Sequence, residues 1–98
     1  MALPDGHEAQ IRPRSGLAAR AGLTVLNAPG TIDADYRGEL FVMMTWIGEG
    51  DSYTIAKGER IAQLLITPIP RSTFFEVDFD ELGDTYRGDG GFCSTCRF

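Results

Sequence analysis

The clearest alternation of apolar and polar residues lies near the end of the chain. Phe75, Val77 and Phe79 alternate there with acidic residues. Because successive side chains of a strand point to opposite faces, this pattern predicts a half-buried strand. Longer apolar runs occupy residues 40–47 and 61–69. The first predicts a strand with both faces covered, either by the core alone or by the core and a second subunit, and the second predicts another apolar strand.

Short strands and turns fill most of the remaining chain. Gln63 interrupts the second apolar run, which predicts a bond from its amide to backbone or ligand, and Pro68 places the end of this strand at a sheet edge. One short helical piece is expected over residues 16–21, with Ser15 as its N-cap and Gly22 as a left-handed C-terminal residue. Further short strands are predicted for residues 8–11, 23–26 and 53–55. Such strands joined by Gly, Pro and Asp turns are typical of an all-β sandwich or barrel.

The segment from residue 22 to residue 40, GLTVLNAPGTIDADYRGEL, carries two carboxylates, Asp33 and Asp35, beside Tyr36. If residues 31–36 are extended, a period of two places both carboxylates on one face. Like charges on one face repel unless a cation, a water or a basic partner lies between them. The pattern therefore indicates a site that handles a proton or a ligand hydroxyl, with a solvated acidic hairpin as the alternative.

Composition narrows the choice of partners. The 98 residues carry a net charge of −5, and the scattered basic residues form no stripe of the kind that binds nucleic acid. No window is long and apolar enough to cross a membrane, and the N-terminus lacks the features of a signal peptide, so a cytoplasmic protein is expected. A domain of this size buries little core alone, so we expect partner chains to stabilise it.

Two smaller features each have a chemical and a plain structural interpretation. The start of the short helix, with Arg14 and Ser15 beside free backbone N–H groups, suits phosphate oxygens, and an ordinary capped turn is the alternative. Cys93 and Cys96 form a C-x-x-C pair, but a chain with His7 as its single histidine cannot complete a zinc site alone. The helical context of a thioredoxin-like motif is also missing, which favours structural or incidental cysteines.

Four motifs resemble those of the homotrimeric dUTP pyrophosphatase (dUTPase) family, in its order and at about its spacing. They are PRSGLA at residues 13–18, the segment 22–40, GERIAQL at 58–64 and RGDGGF at 87–92. The resemblance implies an all-β, distorted jelly-roll barrel in residues 1–82, N-terminally shortened, followed by a flexible Gly-rich arm in residues 83–98. It also implies a homotrimer whose sites are shared between chains.

The resemblance further implies the reaction and its residues. The chain would hydrolyse dUTP to dUMP and pyrophosphate, controlling the dUTP level and supplying dUMP for thymidylate synthesis, with Asp33 as general base for the attacking water. Tyr36 would pack under the deoxyribose. Mg²⁺ would be held mainly through substrate phosphates and water, with no protein ligand. The implied binding residues are Asn27, Thr31, Ile32 and Phe41 for uracil, Arg14, Ser15, Gly16 and Gln63 for the phosphates, and Arg87, Phe92, Ser94 and Thr95 in the closing arm.

The chain departs from the family pattern in two places. The family's first motif, with an aspartate linked to Mg²⁺ water coordination, is absent, which implies an N-terminally truncated chain. Cys93 and Cys96 stand where the family commonly has glycine, and a positive φ at Cys93 would cost about 1 kcal/mol. The alternatives are a non-catalytic nucleotide-binding or oligomer-forming homologue and a dCTP deaminase relative. Tyr36 and the Gly-rich aromatic tail favour dUTPase over the deaminase.

Overall fold

The computed structural model describes residues 1–93. Strands outnumber helices in this part of the chain, which confirms the all-β prediction. The strands are β1 (His7–Pro13), β2 (Leu23–Val25), β3 (Gly30–Ile32), β4 (Met44–Trp46) and β5 (Ala62–Pro68), and the helical elements are α1 (Ser15–Ala21) and a 3-10 turn at Phe79–Leu82. No helix in the described part is long and apolar enough to cross a membrane.

β1 is the centre of a three-stranded antiparallel sheet. β3 pairs with one side of it, with Ile11 opposite Gly30, and β5 pairs with the other side along the whole length of β1. Ala9 and Ile11 are both buried, as the period of two along a strand requires. β5 lies at the edge of this sheet, and its last residue is Pro68, as the sequence predicted.

The core is small and joins this sheet to a second one. β2 and β4 form an antiparallel pair, with Val25 opposite Met44. Buried side chains of β1, β2 and β3 make up the core cluster, and apolar side chains of β4 and β5 pack against them. The cluster consists of Ala9, Ile11, Val25 and Ile32. β1 therefore packs against residues of both sheets. The strands paired with its two edges, β3 and β5, are held in place together with it.

α1 links the two sheets and ends where the sequence predicted. Gly22 closes it with a φ of 72°, and its N–H donates to the carbonyl of Ala18 at 3.0 Å. The predicted N-cap is wrong: Ser15 is the first helical residue, and Arg14 stands at the cap without a side-chain hydrogen bond. Trp46 ties the helix end to β4, because its indole N–H donates to the carbonyl of Ala21 at 2.9 Å.

Several predicted strands differ in the structure. Residues 75–79 form no strand, and the aromatic rings of Phe75 and Phe79 are about four-fifths exposed. Residues 53–55 are likewise irregular. In residues 40–47 only β4 is paired, and Phe41 and Ile47 are exposed, so the core of the single chain does not cover both faces; cover by a second subunit stays a prediction. Residues 75–79 thus have the alternating sequence of a half-buried strand, but no strand among the described residues pairs with them.

The extended conformation predicted for residues 31–36 ends early. β3 stops at Ile32, and a turn follows in which the N–H of Tyr36 donates to the carbonyl of Asp33 at 3.1 Å. Asp33 and Asp35 therefore do not share one face of a strand, because neither residue belongs to a strand. The prediction that depended on an extended backbone at residues 31–36 is wrong.

The single chain is flat and open. Its radius of gyration is 19.5 Å and its thinnest dimension is 17 Å, whereas a compact domain of about 100 residues has a radius of gyration of about 13 Å. Large apolar side chains remain exposed on the edge strand and beyond it, including Leu64, Leu65, Ile66 and Phe74. Much of the apolar surface that a compact domain would bury is thus left exposed in one chain.

Candidate functional site

One cavity lies at the turn and loop that follow β3, and we call it the hairpin cavity. It has a volume of about 220 Å³. Six residues between positions 27 and 41 were predicted from the sequence to bind the base, the sugar or the attacking water. All six line this cavity. These residues are Asn27, Thr31, Ile32, Asp33, Tyr36 and Phe41.

Tyr36 is held in place within its own hairpin. Its hydroxyl donates a hydrogen bond to the carbonyl of Glu39 at 2.8 Å. A Cβ at Gly38 would collide with the hydroxyl and the ring of Tyr36, so a side chain at residue 38 would displace the ring. The ring is 44% exposed, which leaves part of its surface available to a ligand.

Asn27 is placed by a second close approach. A Cβ on Gly30 would lie 3.3 Å from the amide nitrogen of Asn27 and 3.5 Å from the Cβ of Ile11. The absence of a side chain at Gly30 therefore lets the Asn27 amide and β1 meet at the start of β3. An amide offers both a donor and an acceptor, which is what the edge of a pyrimidine base requires.

Four lining residues of the hairpin cavity were missed by the sequence analysis. Glu39 and Leu40 lie in the same segment as Tyr36, and their proximity to it could have been inferred. Ile11 and Gly30 join the cavity because β1 pairs with β3, a register that sequence patterns do not give. Asp35, by contrast, is exposed and does not line the cavity.

A second cavity of about 390 Å³ lies at the start of α1, and we call it the arginine pocket. It contains all four residues for which the sequence predicted phosphate binding, together with four others. The lining residues are Arg14, Ser15, Gly16, Leu17, Arg20, Glu59, Arg60 and Gln63. Three guanidinium groups around one opening favour an anionic ligand, since arginine matches the geometry of phosphate oxygens.

Gln63 reaches this pocket through the pairing of β1 with β5. It lies opposite Arg12 in the ladder, and its side-chain amide donates to the carbonyl of Pro13 at 2.9 Å. These two residues are 50 positions apart in the sequence. The predicted bond from the Gln63 amide to backbone is thus confirmed, and it fixes the residue beside the first turn of α1.

Arg20, Glu59 and Arg60 were not predicted as site residues. Arg20 lies one helical turn after Gly16 and donates from its Nε to the carbonyl of that residue at 3.2 Å. Glu59 and Arg60 stand in the GERIAQL motif, four and three residues before Gln63. Their presence in the motif was a signal for the pocket that the sequence analysis did not use.

Glu59 has both carboxylate oxygens engaged. Oε1 accepts a hydrogen bond from the Tyr53 hydroxyl at 2.8 Å, and Oε2 accepts one from the N–H of Ala56 at 2.9 Å. The pKa of Glu59 is lowered most by the hydrogen bond from the Ala56 N–H and, to a smaller extent, by the hydrogen bond from the Tyr53 hydroxyl. The hydrogen bond to Glu59 raises the pKa of Tyr53, burial and the charge of the carboxylate add to this, and the charge of Arg20 acts in the opposite direction.

The two predicted arm residues that the structure describes, Arg87 and Phe92, are not at either cavity. Arg87 donates from its Nε to the carbonyl of Gly90 at 2.6 Å, and Phe92 is fully exposed. Neither lines the hairpin cavity or the arginine pocket. Ser94 and Thr95 lie outside the described residues. Cys93 is disulfide-bonded and has a φ of 59°, the positive value at which a side chain is disfavoured.

The two cavities lie on opposite flanks of β1. The hairpin cavity is built on β3, on one side of that strand, and the arginine pocket involves Gln63 of β5, on the other side. They have no lining residue in common. The two cavities thus differ in chemistry: the first is lined mainly by apolar and aromatic side chains with one amide and two carboxylates, and the second carries three arginines.

A family model described as dUTPase matches residues 1–96. The chain belongs to the dUTPase family. It is 57% identical over 93 residues to a deoxyuridine 5'-triphosphate nucleotidohydrolase from Methylocella silvestris, which covers 95% of this chain and 56% of that protein. A protein of the same name from Anaplasma marginale is 56% identical, over 95% of this chain and 61% of that protein. The chain thus spans little more than half the length of these dUTPase relatives.

A solved structure supports the same assignment of fold. The dUTPase of Staphylococcus bacteriophage 80alpha, a point mutant with dUpNHpp, has a TM-score of 0.71 to this chain at 27% identity. The match covers 96% of this chain and 69% of that one. The protein therefore has the dUTPase fold.

The donor set of the described residues does not match a site in which the protein alone holds a metal. Among residues 1–93, no group of three or more His, Cys, Asp or Glu side chains is placed to hold a metal ion. The arginine pocket offers mainly N–H donors, and its one carboxylate already accepts two hydrogen bonds. Membership of the dUTPase family is compatible with use of a divalent metal.

Proposed function

We propose that this chain is a dUTP diphosphatase, which hydrolyses dUTP to dUMP and pyrophosphate. The observation that carries the proposal is the hairpin cavity, where Asn27, Asp33, Tyr36 and Phe41 meet around one space. The names of the two relatives and the nucleotide analogue bound to the phage dUTPase support the same substrate class. In this proposal the reaction controls the dUTP level and supplies dUMP for thymidylate synthesis.

Asp33 acts as the general base. Its carboxylate takes a proton from a water molecule, the water oxygen attacks the α-phosphorus, and the bond from that phosphorus to the bridging oxygen breaks, releasing pyrophosphate. Asp33 is exposed at the mouth of the hairpin cavity, in the turn that the Tyr36 N–H closes. This position lets the carboxylate reach a water beside a nucleotide that lies in the cavity.

Discrimination between nucleotides follows from the same hairpin. The ring of Tyr36 lies over Gly38, and its hydroxyl is bonded to Glu39; in this proposal the ring packs under the deoxyribose and excludes a ribose 2'-hydroxyl. Asn27 and the backbone of residues 31–33 read the uracil edge, and Phe41 lines the far side of the cavity. A rigid backbone close to the base rejects a 5-methyl group by steric exclusion, which is stronger than the loss of one apolar contact.

The triphosphate is bound by the arginine pocket of a neighbouring chain. The two cavities lie on opposite flanks of β1, and the single chain is flat with exposed apolar side chains. Both observations support a homotrimer in which the hairpin cavity of one chain faces the arginine pocket of another. The arm residues Arg87, Phe92, Ser94 and Thr95 close over the bound nucleotide in this proposal.

Mg²⁺ accompanies the substrate rather than the protein. The ion commonly binds through substrate phosphates while keeping several waters, and it neutralises charge on the phosphate chain. The side chains of Arg14, Ser15 and Gln63 bind and orient the same phosphates. The cytoplasmic location expected from the sequence stays a prediction.

The test is a dUTP hydrolysis assay on the purified chain, with Asp33→Asn and Asp35→Asn as a matched pair. Both variants remove one carboxylate from the same turn, but only Asp33 lines the hairpin cavity. We expect pyrophosphate release from the wild type and from Asp35→Asn, and none from Asp33→Asn. Binding of dUpNHpp without any hydrolysis by the wild type would instead indicate a non-catalytic homologue, and ammonia release from dCTP would indicate a deaminase.

A further inference from the structure

The arginine pocket contains one carboxylate among its lining residues, that of Glu59. A carboxylate beside three arginines would ordinarily turn toward a guanidinium group, because charge-assisted pairs are stronger than neutral hydrogen bonds. In this structure the two oxygens of Glu59 accept instead from neutral donors, the Tyr53 hydroxyl at 2.8 Å and the Ala56 N–H at 2.9 Å. The carboxylate is thus bonded to Tyr53 and Ala56, neither of which lines the pocket.

One arginine of the pocket, Arg20, is bonded to a group other than the carboxylate. Arg20 lines the same pocket, and its charge acts on the Tyr53 hydroxyl, so it lies within electrostatic reach of the pair. Its Nε nevertheless donates to the carbonyl of Gly16, in the first turn of α1. The Glu59 carboxylate and the Arg20 guanidinium group therefore line the same pocket but are each bonded to other groups.

This separation matters for an anionic ligand. A Glu59 carboxylate paired with one of the arginines would neutralise part of the positive charge, and an entering anion would first have to break that pair. With Glu59 bound to Tyr53 and Ala56, the guanidinium groups keep their charge for the ligand. The turn that carries this arrangement is closed by the N–H of Glu59, which donates to the carbonyl of Ala56 at 3.1 Å.

We propose that Tyr53 is a positioning residue of the arginine pocket, whose hydroxyl holds the Glu59 carboxylate away from the arginines and so keeps them free to bind a polyphosphate chain. The inference rests on the proposed function of the pocket, and it adds a residue that lies outside the pocket and acts through Glu59. Tyr53 makes no contact with the ligand in this account. Its effect is on affinity for the phosphates, and the base and sugar are not involved.

The test is a double-mutant cycle read out by calorimetric titration with inorganic pyrophosphate. The proteins are the wild type, Tyr53→Phe, Glu59→Gln and the double variant. Tyr53→Phe keeps the ring and removes the hydroxyl alone, so the freed carboxylate can turn to an arginine. We expect its dissociation constant for pyrophosphate to rise about two- to fivefold, the range of exposed ion pairs. Glu59→Gln binds at least as tightly as the wild type, and the double variant regains wild-type affinity.

Rescue by Glu59→Gln separates a charge effect from a structural one. If the pair only stiffens the turn at residues 56–59, Glu59→Gln weakens binding and cannot rescue Tyr53→Phe, which would overturn the proposal. Unchanged binding by Tyr53→Phe, or no binding of pyrophosphate to the wild type, would also overturn it. If Tyr53→Phe fails to fold, weaker binding by Glu59→Gln alone still contradicts the proposal. Glu76→Gln, which removes one exposed charge outside the pocket, is the control for net charge.

The titration needs no turnover, so its result is independent of the hydrolysis assay. Pyrophosphate binding with the predicted rescue, but without dUTP hydrolysis, would support the inference and contradict the proposed function. Hydrolysis without the rescue would support the function and contradict the inference.

Discussion

The hydroxyl of Tyr36 donates to the carbonyl of Glu39 across a glycine that has no room for a side chain. Tyr36→Phe removes this bond and keeps the ring, so we expect a loss of about 1 kcal/mol in stability and only a small change in KM for dUTP. Gly38→Ala displaces the ring itself, and overpacking of this kind costs about 1–3 kcal/mol. Steady-state kinetics with dUTP and UTP test both. Gly38→Ala should reduce discrimination against UTP more than Tyr36→Phe does, and the opposite order would contradict the role of the ring.

Gln63 connects β5 to the first turn of α1 through its bond to the Pro13 carbonyl. Gln63→Met keeps the side-chain length and removes the donor, so we expect a loss of about 1 kcal/mol in stability and weaker pyrophosphate binding. Gln10→Met is the control, since the Gln10 side chain bonds to Glu8 and Arg12 instead. Thermal unfolding and calorimetry measure the two effects. Equal pyrophosphate affinity for Gln63→Met and the control would show that the bond does not shape the pocket.

The end of α1 packs so closely on the chain after β4 that Gly22 has no space for a Cβ, which would lie 2.6 Å from the backbone nitrogen of Gly48. Gly22→Ala therefore combines a steric clash with the cost of a side chain at a φ of 72°. Gly6 has the same φ and no atom within 4 Å, so Gly6→Ala carries the conformational cost alone. Urea unfolding should show a larger loss for Gly22→Ala, by about 1–3 kcal/mol. Equal losses would mean that the close contact is absent in solution.

The hydrogen bonds of Glu59 predict a pH dependence of stability. Because its folded-state pKa is lowered, the stabilisation is present above the ordinary pKa and is lost as the pH falls through the lowered value. The pKa of Tyr53 is raised, so its contribution is present below its ordinary pKa and is lost as the pH rises through the raised value. The difference in melting temperature between wild type and Glu59→Gln should thus be largest near neutral pH and shrink toward both extremes. A constant difference from pH 3 to pH 11 would contradict the assigned hydrogen bonds.

The hairpin cavity could be predicted from the sequence because its parts are local. Asn27, Asp33, Tyr36 and Phe41 all lie within one short segment, and resemblance to a family motif placed them together. The prediction that Asp33 and Asp35 share a strand face was wrong, because a turn at Asp33 replaces the extended backbone. The function assigned to Asp33 did not depend on that geometry, and it stays a prediction.

The arginine pocket was predicted only in part because it depends on long-range pairing. Arg14 and Gln63 were found through separate motifs, but the β1–β5 register that brings Gln63 beside α1 and the turn before β5 that carries the Tyr53–Glu59 pair are not given by sequence patterns. The strand predicted at residues 75–79 failed for a different reason. Alternation of apolar and polar residues indicates which side chains of a strand would be buried, but it does not supply a partner strand. Among the described residues of one chain, no strand pairs with residues 75–79.

In the proposed homotrimer, the hairpin cavity of one chain and the arginine pocket of another together form one dUTP-hydrolysing site. The most direct test co-expresses Asp33→Asn with Arg14→Ala in equal amounts, after each variant alone has been found inactive. If the two residues of a site come from different chains, about one quarter of the sites in randomly mixed trimers carry both intact residues, and about that fraction of wild-type hydrolysis should return. Mixed oligomers that remain as inactive as the separate variants would place both residues in the same chain and contradict the claim.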